Sequence, residues 1–315
     1  MARMSIGLLL VLSITEFVLA RPPAGTITLS TAPLSFEDRV RLQSLASPRS
    51  NLPANFKLLY VAQDGRTVEG QKPSTGYWIE VSGSPGASKA AVYQAAREIS
   101  SMLRHAPAHI FNNLANHPNT GVGVFSSAEK IVVYPEYQYL ADYPACYGRC
   151  DGSCSQTCTF DGRKYETLAG VGGDRALVSE ENVMCTATDP YYHRDNIVVH
   201  EFAHTLERIG LNANEKAQVI QAYNNARSRS LWVLSSYAMT SHEEYFAEAT
   251  GSFFRVNLQD SSGGMTACSG GECRTEEEVR RLMSSHDPQL YNILSNVYYS
   301  GNPVSPSGVT ICPRQ

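Results

Sequence analysis

The apolar and polar positions alternate in ways that sort the chain into elements. Phe56-Lys57-Leu58-Leu59-Tyr60-Val61 and Gly76-Tyr77-Trp78-Ile79-Glu80-Val81 are short, β-branched and aromatic runs separated by a turn-rich segment around Asp64-Gly65, and they predict two strands. Ser88 to Arg104 carries Ala91, Val92, Ala95, Ile99 and Leu103 at helical spacing and predicts an amphipathic helix. Gly121 to Phe125 and Lys130 to Tyr134 read as further strands, the second leaving through the aromatic run Tyr134 to Tyr139. Arg175 to Ser179 reads as the strand at the edge of a cleft, where an extended peptide could pair with its backbone. Beyond it the period is helical. Helices are expected from Ile197 to Gly210, from Ala213 to Ser228, from Ser241 to about Val256, from Thr275 to Ser284 and from Pro288 to Tyr298. Thr275 with Glu278 three places on is a capping box. No internal repeat is found.

Composition narrows the setting. The chain has 315 residues, 43% of them hydrophobic, which is ample for a core. Its net charge of −4 argues against nucleic acid or a polyanionic surface as partner. Residues 1–20 start with a basic Arg3, run apolar from Ile6 to Ile14 and end on the small Val18 and Ala20, the pattern of a secretory signal; the run is too short to span a membrane. Residues 21–50 are rich in Pro, Ser, Thr and Ala and read as a linker or a short pro-segment, leaving residues 51–315 as one domain. In a secreted chain the eight cysteines predict disulfides. Cys146, Cys150, Cys154 and Cys158 recur every fourth residue, and this tight cluster is expected to send at least one bond to a distant partner such as Cys185. Cys268 and Cys273 are expected to close a small loop, and Cys312 completes the set. There is no Asn-x-Ser/Thr acceptor for glycans. Leu168-Ala169-Gly170-Val171-Gly172-Gly173 is Gly-rich but lacks the Lys-Ser/Thr and the following helix of a phosphate loop.

The candidate chemistry lies in Val198-Val199-His200-Glu201-Phe202-Ala203-His204-Thr205-Leu206-Glu207. On a helix His200 and His204 fall one turn apart on one face, where two imidazoles can share a zinc ion. Glu201 beside them can take a proton from water. A zinc hydrolase usually needs a third protein ligand. Glu207 and Gly210 stand where one large class has Gly and then His or Asp, so that class is excluded. A Glu from a second helix is the other solution. Glu244 and Glu248 share one face of Ser241 to Thr250; Glu244 as ligand would leave Glu248 placed to orient a ligating His. Glu243 is expected to face solvent. His105, His109 and His117 fit no metal spacing and read as helix-end and surface residues, and His193 as solvent-facing or supporting.

HEFAHTLE together with SYAMTSHEEYFAEA resembles the catalytic domain of anthrax lethal factor and its relatives, the ATLF-like zinc metallopeptidases of gluzincin type. The resemblance covers about Ile197 to Gly251. It implies that Glu244 is the third zinc ligand, that Glu207 is the family's acidic residue after the second His, and that Tyr237, seven residues before Glu244, stabilises the oxyanion. The spacing between the helices is shorter than in the family, and Ala238 stands where a Gly is seen. The resulting expectation is an α+β, disulfide-stabilised, zincin-like fold with a mixed sheet above a cleft and a helical lower half. It would act as a secreted, monomeric endopeptidase on protein or peptide substrates, with one Zn2+ on His200, His204 and Glu244, Glu201 as general base, and Glu248 and Glu207 as supporting residues. It would need neither nucleic acid nor membrane. Two rivals share these residues: a non-catalytic binding protein that kept the fold, and a toxin-like effector acting on one host protein.

Overall fold

Among the described residues, six short strands build one mixed sheet. The computed structural model describes residues 52–159 and 162–313, so the expected signal and the segment 21–50 lie outside the described residues. β1 (Lys57–Val61) pairs antiparallel with both β2 (Thr67–Glu69) and β3 (Ile79–Gly83). β3, β4 (Gly121–Phe125) and β6 (Arg175–Ser179) run parallel, and β5 (Gly170–Val171) closes the sheet antiparallel to β6. A parallel pair needs a long crossover. Between β3 and β4 it is supplied by α1 (Lys89–Leu103), capped by Ser88, and α2 (Ala108–Asn116).

The period of two decides which face each strand residue serves. Val122, Val124, Ala176 and Val178 join α1 and the helical half in the main core. Phe125 and Leu177 point the other way, where Ile131, Tyr134, Tyr137, Leu140 and Tyr165 cover them. The expected strand from Lys130 to Tyr134 is not formed: Ile131–Val133 and Pro135–Leu140 are 3₁₀ turns. Both edges of β4 are taken, by β3 and β6. The apolar run therefore has no ladder to join and crosses the sheet face instead, with the buried Tyr134 hydroxyl bonded to the carbonyls of Ser82 and Val124, each at 3.2 Å. The strand expected from Gly76 to Val81 begins later, at Ile79.

The lower half is helical as expected. After the short α3 (Glu180–Val183) come α4 (Ile197–Thr205), α5 (Ala213–Ser228), α6 (His242–Phe253), α7 (Glu276–His286) and α8 (Pro288–Tyr299). Two short strands, β7 (Ala267–Cys268) and β8 (Gly271–Glu272), form a separate hairpin. The sheet, the helices and the disulfides together make an α+β fold. No helix among the described residues is long and apolar enough to cross a membrane.

The disulfides are Cys146–Cys154, Cys150–Cys158, Cys185–Cys312 and Cys268–Cys273. The small loop of Cys268 and Cys273 is as expected. The four-cysteine cluster, however, closes on itself and reaches no distant partner. Its short turns bring residues eight apart within bonding distance, and Cys185 is taken by Cys312 in the C-terminal segment.

Candidate metal centre and catalytic cleft

Two capped helices deliver the site. Asn196 caps α4 by accepting from Val199 N at 3.2 Å, and Ser241 caps α6 by accepting from Glu244 N at 3.2 Å. α4 is buried on its other faces through Val198, Val199, Phe202 and Ala203, and α6 through Tyr245, Phe246, Ala247 and Phe253. Packing on that scale leaves the motif face little freedom. The last turn of the motif helix widens into a π turn, Leu206–Gly210, before the chain leaves at Leu211.

Three ligand atoms from these helices converge. His200 Nε2 lies 3.3 Å from His204 Nε2 and 3.3 Å from Glu244 Oε2, and His204 Nε2 lies 3.4 Å from Glu244 Oε2. A tetrahedral zinc with bonds of about 2.0–2.1 Å requires ligand atoms about 3.3–3.4 Å apart. The triangle has those edges, and two nitrogens with one carboxylate oxygen are a zinc donor set. Glu244 Oε2 is buried and, among the described residues, has no hydrogen-bond donor. Its other oxygen accepts from the Tyr237 hydroxyl at 2.8 Å.

The electrostatics also fit a cation. Burial disfavours a charged imidazole at His200, but Glu244, Glu201 and Glu248 outweigh it and push the ring well above the usual range. Burial works against the Glu244 carboxylate as well, yet the two imidazoles hold it well below the usual range. The pocket is a well of negative charge that stabilises positive charge at its centre. Glu201 is raised by burial, lowered by His200 and His204, raised by Glu244 and lowered by Arg163. Its carboxylate and the two imidazoles lie within 4.8 Å of one another.

The supporting residues are placed as follows. Glu248 Oε1 lies 3.5 Å from His200 Nδ1, while its Oε2 accepts from Asn257 Nδ2 at 2.7 Å and Ser261 Oγ at 2.8 Å. Glu207 is buried and meets His242 Nδ1 at 3.1 Å. The other nitrogen of His242 holds Glu243 at 3.1 Å, so Glu243 is half-buried rather than turned to solvent. His109 pairs with Glu215, His117 with Thr120, and His105 stacks on Tyr299. His193 is exposed and contacts the Thr186 carbonyl. It groups with Asp189 and Cys185, but that sulfur is spent in a disulfide.

The cleft edge is not where the pattern put it. β6 lies inside the sheet, between β4 and β5, and the edge strand is β5, formed from the Gly-rich run. A Cβ on Gly170 would sit 2.4 Å from Ile197 Cγ2 and 2.8 Å from Glu201 Oε1; one on Gly172 would sit 2.9 Å from His204 Cβ. Only glycine lets this backbone lie against the motif helix. The Thr205 hydroxyl ties the end of the run by donating to Gly173 O at 2.6 Å. The run of glycines was the available signal. Asp195, Asn257, Ser261 and Arg163 carry no motif and were not anticipated. Asp195 is buried, its Oδ1 has no hydrogen-bond donor among the described residues, and burial pushes its carboxyl well above the usual range against the pull of His200.

No protein-family model matches the chain, and no curated protein does. Among solved structures, the Pro-Pro endopeptidase PPEP-2 from Paenibacillus alvei is similar over 72% of this chain and 95% of that chain, with a TM-score of 0.42 and 18% sequence identity. At that score the likeness decides neither family nor activity.

Proposed function

We propose that the protein is a secreted zinc-dependent endopeptidase of the lethal-factor-like gluzincin type. The observation that carries this reading is the triangle of His200, His204 and Glu244 with edges of 3.3–3.4 Å and Glu201 beside it. His200, His204 and Glu244 would hold one zinc ion. Zinc, when bound, supplies Lewis acidity: it polarises the peptide carbonyl and makes water a stronger acid.

The chain's own residues do the rest. Glu201 takes the proton of the attacking water and passes it to the leaving amine. Burial, which raises its carboxyl, suits it to both halves of that exchange. The Tyr237 hydroxyl turns from Glu244 to donate to the developing oxyanion. Glu248 holds the His200 ring in place, and Asn257 and Ser261 hold Glu248. The outer edge of β5, the last strand of the sheet, would pair with the extended substrate backbone, directing the scissile bond over α4.

The test is metal analysis and cleavage of a mixed peptide library by purified mature protein. We expect one bound zinc per chain and cleavage that a chelator abolishes. Glu201→Gln should keep the zinc and lose activity by about a thousandfold or more. A protein that binds no zinc overturns the ligand assignment.

A further inference from the structure

Asp287 ties together two stretches of chain that each carry a residue of the site. It closes α7, its N donating to Met283 O at 2.8 Å, and it caps α8, its Oδ1 accepting from Leu290 N at 3.3 Å. The side chain is fully buried, where a carboxylate needs donors for both oxygens. Oδ2 takes two. One is the indole Nε1 of Trp232 at 3.0 Å, and the other is the hydroxyl of Tyr245. The preceding His286 grips the same strip of chain. Its Nε2 meets the Leu231 carbonyl, and its ring packs edge-on against the Trp232 ring with centroids 4.6 Å apart.

The two stretches meet again at the candidate centre. Trp232 stands five residues before Tyr237, and the chain between them has little freedom. Ser236 N donates to Val233 O at 2.9 Å in a tight turn, and Val233 N donates to Gly263 O at 3.1 Å. Beyond Tyr237 the Met239 carbonyl accepts from the Tyr223 hydroxyl at 3.1 Å and from Arg227 Nη1 at 2.9 Å. Tyr245 follows Glu244 on α6, is buried, and packs its ring on that of Tyr223 with centroids 5.7 Å apart. The Tyr237 hydroxyl then donates to Glu244 Oε1 at 2.8 Å. The result is a closed circuit from Asp287 through Trp232, Tyr237, Glu244 and Tyr245 back to Asp287. In a closed circuit the buried bonds at Asp287 set how far the phenol stands from the carboxylate.

We propose that Asp287 is a positioning residue: by holding Trp232 and Tyr245 together, it sets where the Tyr237 hydroxyl stands relative to Glu244. It acts through Tyr237 and not on the reacting groups. The consequence for catalysis rests on the peptidase reading above; the placement of the phenol does not. A donor misplaced by about 1 Å costs up to about a hundredfold in rate.

Asp287→Asn, Trp232→Phe and Tyr245→Phe are compared in purified mature protein. The last two each remove one bond to Asp287 and keep a ring in place, so they carry the test if Asp287→Asn does not fold. The first readout needs no substrate. Tyrosine is labelled with 13C at Cζ, and the NMR signal of Tyr237 is assigned by its loss in Tyr237→Phe. Asp287→Asn and Trp232→Phe should shift that signal; an unmoved signal overturns the proposal. The second readout is a double-mutant cycle in kcat. Asp287→Asn and Trp232→Phe should each lower kcat by about tenfold, with KM nearly unchanged and zinc still bound. Where Tyr237 is already Phe, each should cost less than about twofold. A general loss of packing would cost the same factor in both backgrounds, and that result overturns the proposal. So does an unchanged kcat in a variant whose Tyr237 signal has moved. If wild type cleaves nothing, the peptidase reading falls and the Tyr237 signal alone decides the proposal.

Discussion

At the scale of single residues the decisive groups are few. Tyr237 shows how one side chain can be tested apart from its neighbours. Its hydroxyl donates to Glu244 Oε1 at 2.8 Å, so its phenol could act on the oxyanion or merely hold a metal ligand. Burial, and then the charge of Glu244, push the phenol far above its ordinary value, so it remains a proton donor across the whole working range. Tyr237→Phe removes that donor and little else. If the hydroxyl acts in the transition state, kcat should fall by about a hundredfold with KM nearly unchanged and one zinc still bound. If it only props Glu244, zinc affinity should fall while kcat per bound zinc holds. Steady-state kinetics beside a zinc titration separates these results.

At the scale of elements the edge strand is the piece that lies against the motif helix. β5 is only two residues long, yet in the proposed mechanism it sets how close a substrate backbone can come to α4. Gly170→Ala would place a methyl carbon 2.4 Å from Ile197 Cγ2 and 2.8 Å from Glu201 Oε1. Either the strand or the first turn of α4 must move, at a cost of about 1–3 kcal/mol. Activity should fall more than that loss of stability implies, because the displaced group is the proposed general base. Denaturant unfolding read alongside kcat/KM checks the prediction; a variant less stable but fully active would show that β5 does not set the geometry of Glu201. The same element marks where sequence reading stops. α1 and α4 to α8 were legible because a helical period repeats over several turns and, for α7, because the cap Thr275 announces the start. The candidate site residues on α4 and α6 could be named from the sequence because their spacing is local. A two-residue strand has no period to read. The Ile131-Val132-Val133 run looked like a strand because its residue types suit one, but pairing is decided by which sheet edges are open, and β4 has none. Apart from Cys268–Cys273, whose close spacing was readable, the disulfide partners were hidden for the same reason: they depend on loop geometry that spacing alone does not encode.

At the scale of the whole molecule, the C-terminal segment ties the two halves together. Thr310 sits between α1 and the cap of the motif helix. Its N and Oγ1 donate to Glu98 at 3.2 and 3.3 Å, and its carbonyl accepts from Asn196 Nδ2 at 2.6 Å; two residues on, Cys312 is bonded to Cys185. Glu98 is only 2% exposed, and burial pushes its carboxyl up to about 7 despite the bonds from Thr310 and Gln94 and the charge of Arg97. The folded protein therefore holds this proton more tightly than the unfolded chain, whose carboxyl releases it near the ordinary value of 4.5. The contribution of Glu98 is complete below that value and is lost as pH rises toward about 7, amounting to about 3 kcal/mol. Above 7 both states are ionised and the loss is constant. Glu98→Gln keeps the shape of the protonated form and cannot ionise. Wild type and variant should thus be close in stability at pH 4.5, with the variant the more stable by pH 8 as the wild type falls away between. Urea midpoints measured across that range give the difference directly, and the other titrating groups cancel in it. A gap that stays flat with pH would mean that Glu98 remains ionised in the fold, with the segment through Thr310 gripped by a charge rather than by a neutral acid.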